Sequence, residues 1–175
     1  MGRLGQFSFA ALIAVLALAD CRGGEPTGPV PAGPPRGVTI NGVTLPSAPT
    51  GARLRPAAIV SRTIGPLGGS IEVEGGRLDV PPGALLLPVE ITVRGKIDGL
   101  YQYRFSPNGL QFTVPATVSI QVDPPAIGVA PGRLAIAMAS DAGDDWRILG
   151  GSFDPETGRV TAQVHHFTQY ALCQN

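Results

Sequence analysis

The chain has 175 residues, only 15% of them charged, and its 13 Lys and Arg are balanced by 13 Asp and Glu. A net charge of zero provides no basic footprint for nucleic acid and no acidic tail, which excludes partners captured by bulk charge. Cys21 and Cys173 are the two cysteines and aromatics make up 6%, so the fold must rest on a core of Val, Ile and Leu rather than on a disulfide framework.

The chain opens MGRLGQFSFAALIAVLALADC, with Arg3 ahead of thirteen uncharged, mostly apolar residues, 7 to 19. This is the pattern of a secretory signal peptide. A membrane-spanning helix needs about 20 apolar residues, so the run is too short to be one. Leu18-Ala19-Asp20-Cys21 resembles the lipobox of bacterial lipoproteins, in which the cysteine thiol is acylated and becomes the new N-terminus, although Asp20 stands where that motif prefers a small residue. The rival is an A-x-A site at Ala17-Leu18-Ala19, which would release an unlipidated protein starting at Asp20. Either way the compartment is a bacterial envelope, lipid-anchored in the first case and periplasmic or secreted in the second. Lipidation of Cys21 leaves Cys173 unpaired, whereas an unlipidated Cys21 leaves a Cys21–Cys173 bridge open.

Residues 22–57 hold seven Gly and eight Pro and show no hydrophobic period. They read as a linker, with ends roughly 30–36 Å apart for a flexible coil. Within it, GVTINGVTL (37–45) alternates like a short hairpin around Asn41-Gly42.

From Ile59 onward, short alternating runs are separated by Gly, Pro, Asn and Asp. Strands are predicted at 59–64, 70–74, 77–80, 89–94, 101–105, 117–122, 133–139, 146–149, 159–164 and 167–172. No stretch combines a 3.6-residue apolar period with caps, so no helix is expected. The expectation is an all-β chain: an antiparallel β-sandwich of about 9–10 short strands over 58–175, behind a lipoprotein-type signal peptide (1–20) and a Gly/Pro-rich linker (21–57). Trp146, Phe105, Phe112, Phe153 and Phe167 are its candidate bulky core residues. Ile71, Val73, Leu78, Val80, Ile91 and Val93 are candidates for inward strand faces.

Three stretches carry a resemblance. IGPLGGSIEVEGGRLDVPPGAL (64–85) has a Gly-Gly turn, two strands and a Pro-x-Gly-Ala turn; YRFSPNGLQFTVPATVSIQV (103–122) has a Ser-Pro turn leading through Phe and Pro into a strand; HFTQYAL (166–172) closes the domain. In this order they resemble the ZU-five domain, the β-sandwich module of zonula occludens proteins, Unc-five netrin receptors and ankyrins. The eukaryotic members carry further domains after this one, so their receptor and cytoskeletal functions are not expected here.

The resemblance also implies a reaction. Some ZU-five domains cut themselves within a His-Phe-Ser motif, and the matching residues here are His166, Phe167 and Thr168. His166 would take the proton of the Thr168 hydroxyl, which would attack the Phe167 carbonyl to form an ester that water hydrolyses. That step needs strain and an oxyanion donor. The bland reading is a closing strand in which Phe167 points inward and His166 and Thr168 share the other face.

Other sites are weaker. His165 and His166 point to opposite faces of a strand and do not chelate one metal. Asp141, Asp144 and Asp145 lack the spacing and closing glutamate of a calcium loop and read as a polar turn before Trp146. There is no Gly-x-Ser-x-Gly elbow. The sequence thus points to a non-enzymatic, envelope-anchored module. Its membrane contact is the lipid on Cys21, its partner a protein or polysaccharide, and no cofactor, metal or nucleic acid is expected. Self-cleavage between Phe167 and Thr168 is the alternative.

Overall fold

The short alternating runs become thirteen strands in the computed structural model, which describes residues 37–48, 56–95, 97–140 and 142–175. The signal peptide, the lipobox with Cys21, most of the linker and Asp141 lie outside the described residues. Every one of the ten expected strands overlaps an observed one. They are β3 (Ile59–Ile64), β4 (Gly69–Val73), β5 (Gly76–Val80), β6 (Val89–Arg94), β7 (Gln102–Ser106), β8 (Gln111–Gln121), β9 (Leu134–Ala139), β10 (Trp146–Gly150), β12 (Arg159–His166) and β13 (Gln169–Gln174). Of the other three, β1 (Gly37–Ile40) and β2 (Val43–Pro46) are the hairpin read around Asn41-Gly42, and the short β11 (Ser152–Asp154) was not expected.

All pairings are antiparallel, and the strands form two packed sheets. One sheet runs β1-β2-β13-β7-β6-β3, with β9 on the other side of β13 and β10 beyond it; the second runs β11-β12-β8-β5-β4. This is the expected antiparallel sandwich. Six connections cross between the sheets, β8 to β9, β10 to β11 and a group of four: β3 to β4, β5 to β6, β7 to β8 and β12 to β13. Because β6 runs antiparallel to β3 and β7, and β8 to β5 and β12, all four lie at the same end.

Ile71, Val73, Leu78, Val80, Ile91 and Val93 are buried between the sheets, as the alternation predicts. Phe105, Phe112 and Phe167 join them, while Phe153 is only partly buried. The two largest fully buried side chains are tyrosines that the core list omits, Tyr103 and Tyr170. Each keeps a partner for its hydroxyl: Tyr103 donates to Glu74 O at 3.1 Å and Tyr170 to the His166 carbonyl. A tyrosine can therefore be buried whole at little polar cost. Tyr103 also explains Gly76, since a Cβ there would lie 2.2 Å from its ring.

Trp146 is buried in a different place. All six residues of β9 are buried. Leu134, Ile136 and Met138 face the core, whereas Ala135, Ala137 and Ala139 face outward and cluster with Trp146 and Cys173 of the neighbouring strands and with Val43, Leu45 and Leu100. The β1–β2 hairpin thus covers the outer face of the first sheet, and Thr44 pairs with Gln174 of β13. Folded chain therefore extends into the stretch assigned to linker, whose boundary at residue 57 is too late. Its Gly/Pro composition conceals three buried positions, Val43, Leu45 and Pro46, in only four residues of strand.

Two further details depart from expectation. Pro124–Ile127 forms one turn of α-helix, α1, closed by Gly128 in the left-handed region, where no helix was expected; two prolines at its start preset helical φ. β8 begins at Gln111 rather than 117 and passes through Pro115. Proline is tolerated because the ladder to β12 shifts register between Val164 and His166, and pairing with β5 starts only at Thr117.

Candidate functional site

The stretch read as one closing strand, 167–172, is two things. β12 ends at His166, which pairs with Gln111; Phe167 and Thr168 carry the chain across to the other sheet; β13 starts at Gln169. Alternation fails at such a crossing, so Phe167 and Thr168 do not take opposite faces but are both buried, at 0% and 1% exposure. His166 remains half-buried on the second sheet and His165 is exposed.

Three of the four backbone polar groups of Phe167 and Thr168 have backbone partners. Phe167 N–H donates to Leu110 O at 2.8 Å, its carbonyl accepts Gly109 N–H at 2.9 Å, and Thr168 O accepts Phe105 N–H at 3.1 Å. The Phe167 ring is the hub of an aromatic group, 5.6 Å from the Phe105 ring and 4.9 Å edge-on from Phe112. Tyr170 stands 5.8 Å from Phe105 in the same group. Gly109 serves here by its conformation: at φ 77° in the Pro107-Asn108-Gly109 turn it aims its N–H at the Phe167 carbonyl without side-chain strain.

The structure brings His166, Phe167 and Thr168 together in sequence but not in chemistry. The Thr168 hydroxyl donates to Ala139 O at 3.2 Å and Ser140 O at 3.3 Å, at the end of β9. No hydrogen bond joins it to His166, whose own carbonyl is held by Tyr170. A backbone carbonyl is no base at neutral pH. To act as a nucleophile, Thr168 would have to abandon both bonds inside a closed core. What the sequence did not reveal is the donor: Gly109 N–H lies where an oxyanion at Phe167 would develop. The Asn-Gly turn was legible as a turn, but its pairing with residue 167 is long-range.

The acidic stretch is a turn, as expected for its described residues. Ser140 Oγ donates to Asp144 Oδ1 at 2.8 Å, Ser140 N–H to Asp145 O at 2.7 Å, and Asn41 of the hairpin donates to Asp145 Oδ1 at 2.8 Å. Among the described residues no three His, Cys, Asp or Glu side chains gather as a metal would require. A second acidic place was not foreseen: Glu74 and Asp123 line a cleft of about 340 Å³ with Tyr101 and Gln121, and Glu74 Oε2 is buried without a partner. Two carboxylates alone do not make a metal site.

Cys173 lies within β13, fully buried under the hairpin. Burial pushes its thiol up to about 11, which leaves little thiolate at neutral pH. Among the described residues no helix is long and apolar enough to cross a membrane. No family model matches the chain, and no curated protein matches it significantly.

Proposed function

We propose that the chain is an envelope-anchored, non-enzymatic β-sandwich of the ZU-five type. It would act as an interaction or structural module at the bacterial cell surface, held by a lipid on Cys21. The observation that carries this reading is the role of the motif that looked reactive. His166-Phe167-Thr168 works as a sheet crossing, with Phe167 at the centre of the aromatic core and the Thr168 hydroxyl spent on the carbonyls of Ala139 and Ser140. The Leu18-Ala19-Asp20-Cys21 motif and the Gly/Pro tether behind it support the anchoring. Mass spectrometry of the mature protein from its host tests it: acylation of Cys21 is expected, and release before Asp20 without lipid would overturn the anchor.

One observation favours the alternative, self-cleavage between Phe167 and Thr168. Gly109 N–H supplies half of an oxyanion hole at 2.9 Å from the Phe167 carbonyl. The same spectrum decides it. A single full-length species after prolonged incubation removes the idea, and an eight-residue fragment beginning at Thr168 that disappears in His166→Ala establishes it.

A further inference from the structure

Two of the four crossings at one end of the sandwich are unlike the rest of the surface. The β3–β4 turn is Gly65-Pro66-Leu67-Gly68 and the β5–β6 loop is Pro81-Pro82-Gly83-Ala84-Leu85-Leu86-Leu87-Pro88. Gly83 N–H donates to Pro66 O at 2.8 Å, so the two loops form one projection. Ala84 and Leu85 turn inward and root it in the core, whereas Leu67, Leu86 and Leu87 are 91%, 78% and 73% exposed. Val114 and Pro115 of β8 border the same projection through a groove shared with Leu67, Pro81 and Pro82.

From this geometry we infer that the paired loops insert Leu67, Leu86 and Leu87 into the bilayer to which the chain is tethered. This deepens the reading above and rests on its anchor for one argument only, proximity. Gly37 is 16 residues from Cys21 (37 − 21), and such a length spans at most about 55 Å. A lipid on Cys21 would keep the sandwich within that distance of the membrane, where even weak insertion is effectively intramolecular.

Chemistry selects lipid over a protein partner. The twelve residues of the two loops contain no charge and no aromatic anchor. Protein hot spots favour Trp, Tyr and Arg, and under-use Leu. Hydrocarbon penalises backbone donors without partners, and here four of the twelve residues are prolines with no N–H. Gly68, Gly83 and Ala84 spend theirs on Gly65, Pro66 and Pro81 carbonyls. Asp144 and Asp145 sit at the β9–β10 turn, three strands along the sheet from β6 and about 14 Å away, and Asp79, which lines the groove, is paired with Arg77 at 2.6 Å.

The test places an environment-sensitive dye at one loop position in the full chain, as Leu86→Cys or Leu67→Cys, with Glu156→Cys at the far end of β8 as control. Cys173 is buried and stays unlabelled. Each labelled chain is studied in two forms, acylated from its host and unacylated as Cys21→Ser, with phosphatidylcholine–phosphatidylethanolamine vesicles whose acyl chains carry bromine. Dye at 86 and 67 should shift to shorter wavelength and be quenched by the bromine, dye at 156 should not, and Leu67→Ser with Leu87→Ser should abolish the shift at 86. Insertion of the acylated form alone also supports the inference and assigns the role of the tether. Loop dyes that stay aqueous on vesicle-bound acylated chain overturn it. So does a shift that grows with protein concentration in the absence of lipid, which would make a second copy the occupant. The mass of the acylated form reports the anchor separately, so failure of the anchor and failure of insertion are distinguishable.

Discussion

Replacing Thr168 with Val keeps the shape of the side chain and deletes its hydroxyl, and that hydroxyl is what separates the structural account of this residue from the catalytic one. The group is buried and donates to two carbonyls at 3.2 and 3.3 Å. Ser140 O keeps a second donor, Gly143 N–H at 2.9 Å. Ser140 O thus keeps a partner while Ala139 O gives up its bond to Thr168, and the loss is that of a buried hydrogen bond, about 1–2 kcal/mol. With a urea m-value of about 2 kcal/mol/M, the unfolding midpoint should fall by about 0.5–1 M at constant m. Thr168→Ser keeps the bonds and loses one buried methyl, about 0.5–1.5 kcal/mol. Thr168→Ala should then cost about the sum, 1.5–3.5 kcal/mol. A Val variant as stable as the wild type would refute the argument, because the hydroxyl would then contribute no net bond in the core.

Three other outcomes are expected. Leu45→Ala removes a side chain buried under the outer face of the first sheet and should cost about 2–4 kcal/mol in urea unfolding; a neutral result would return residues 37–48 to the linker. Gly76→Ala should destabilise by about 1–3 kcal/mol or more, because its methyl collides with the Tyr103 ring, and the cost should shrink strongly in a Tyr103→Leu background; equal costs in both would show that the collision is relieved elsewhere. For Cys173 the folded thiol is raised from 9.0 to about 11, so the native state holds its proton more tightly than the unfolded chain. That contribution is complete below about pH 9 and is lost as pH rises toward 11. Stability should therefore decline between pH 9 and 10, before the tyrosines titrate, and Cys173→Ala should flatten that slope.

Periodicity explains what could be read in advance. Strands β3 and β6 match their predicted bounds to the residue: β6 alternates between solvent and core between Pro88 and Gly95, whereas β3 is exposed at its first five positions and is delimited by its β-branched residues and the Gly65-Pro66 turn. The β1–β2 hairpin was legible as a hairpin but not as part of the domain, since what secures it, Ala135, Ala137 and Ala139 on the outer face of β9, lies about 95 residues away. The tyrosines were missed because a buried hydroxyl depends on an acceptor from another strand: Glu74 O lies in a turn far from Tyr103, and the carbonyl serving Tyr170 belongs to a crossing no local pattern marks.

The same limit shapes the candidate site. His-Phe-Thr has polar-apolar-polar spelling, and period two places His166 and Thr168 on one face, as self-cleavage would need and a plain strand would also give. The chain instead changes sheets between these residues. The sheet change turns Thr168 into the interior toward β9 while leaving His166 on β12, and it sets the Phe167 carbonyl against the Gly109 turn. Sequence carries the residues of a reaction, but their relative orientation is fixed by the four crossings packed at this end. Two of those crossings are spent on the aromatic core. The other two, rooted by Ala84 and Leu85, push three leucines into solvent, and a sandwich that can bury Tyr103 and Tyr170 whole does not lack room for leucine. Their exposure is thus a property of the loops rather than a failure of the core, which is why the surface at this end is the place to look for what the protein touches.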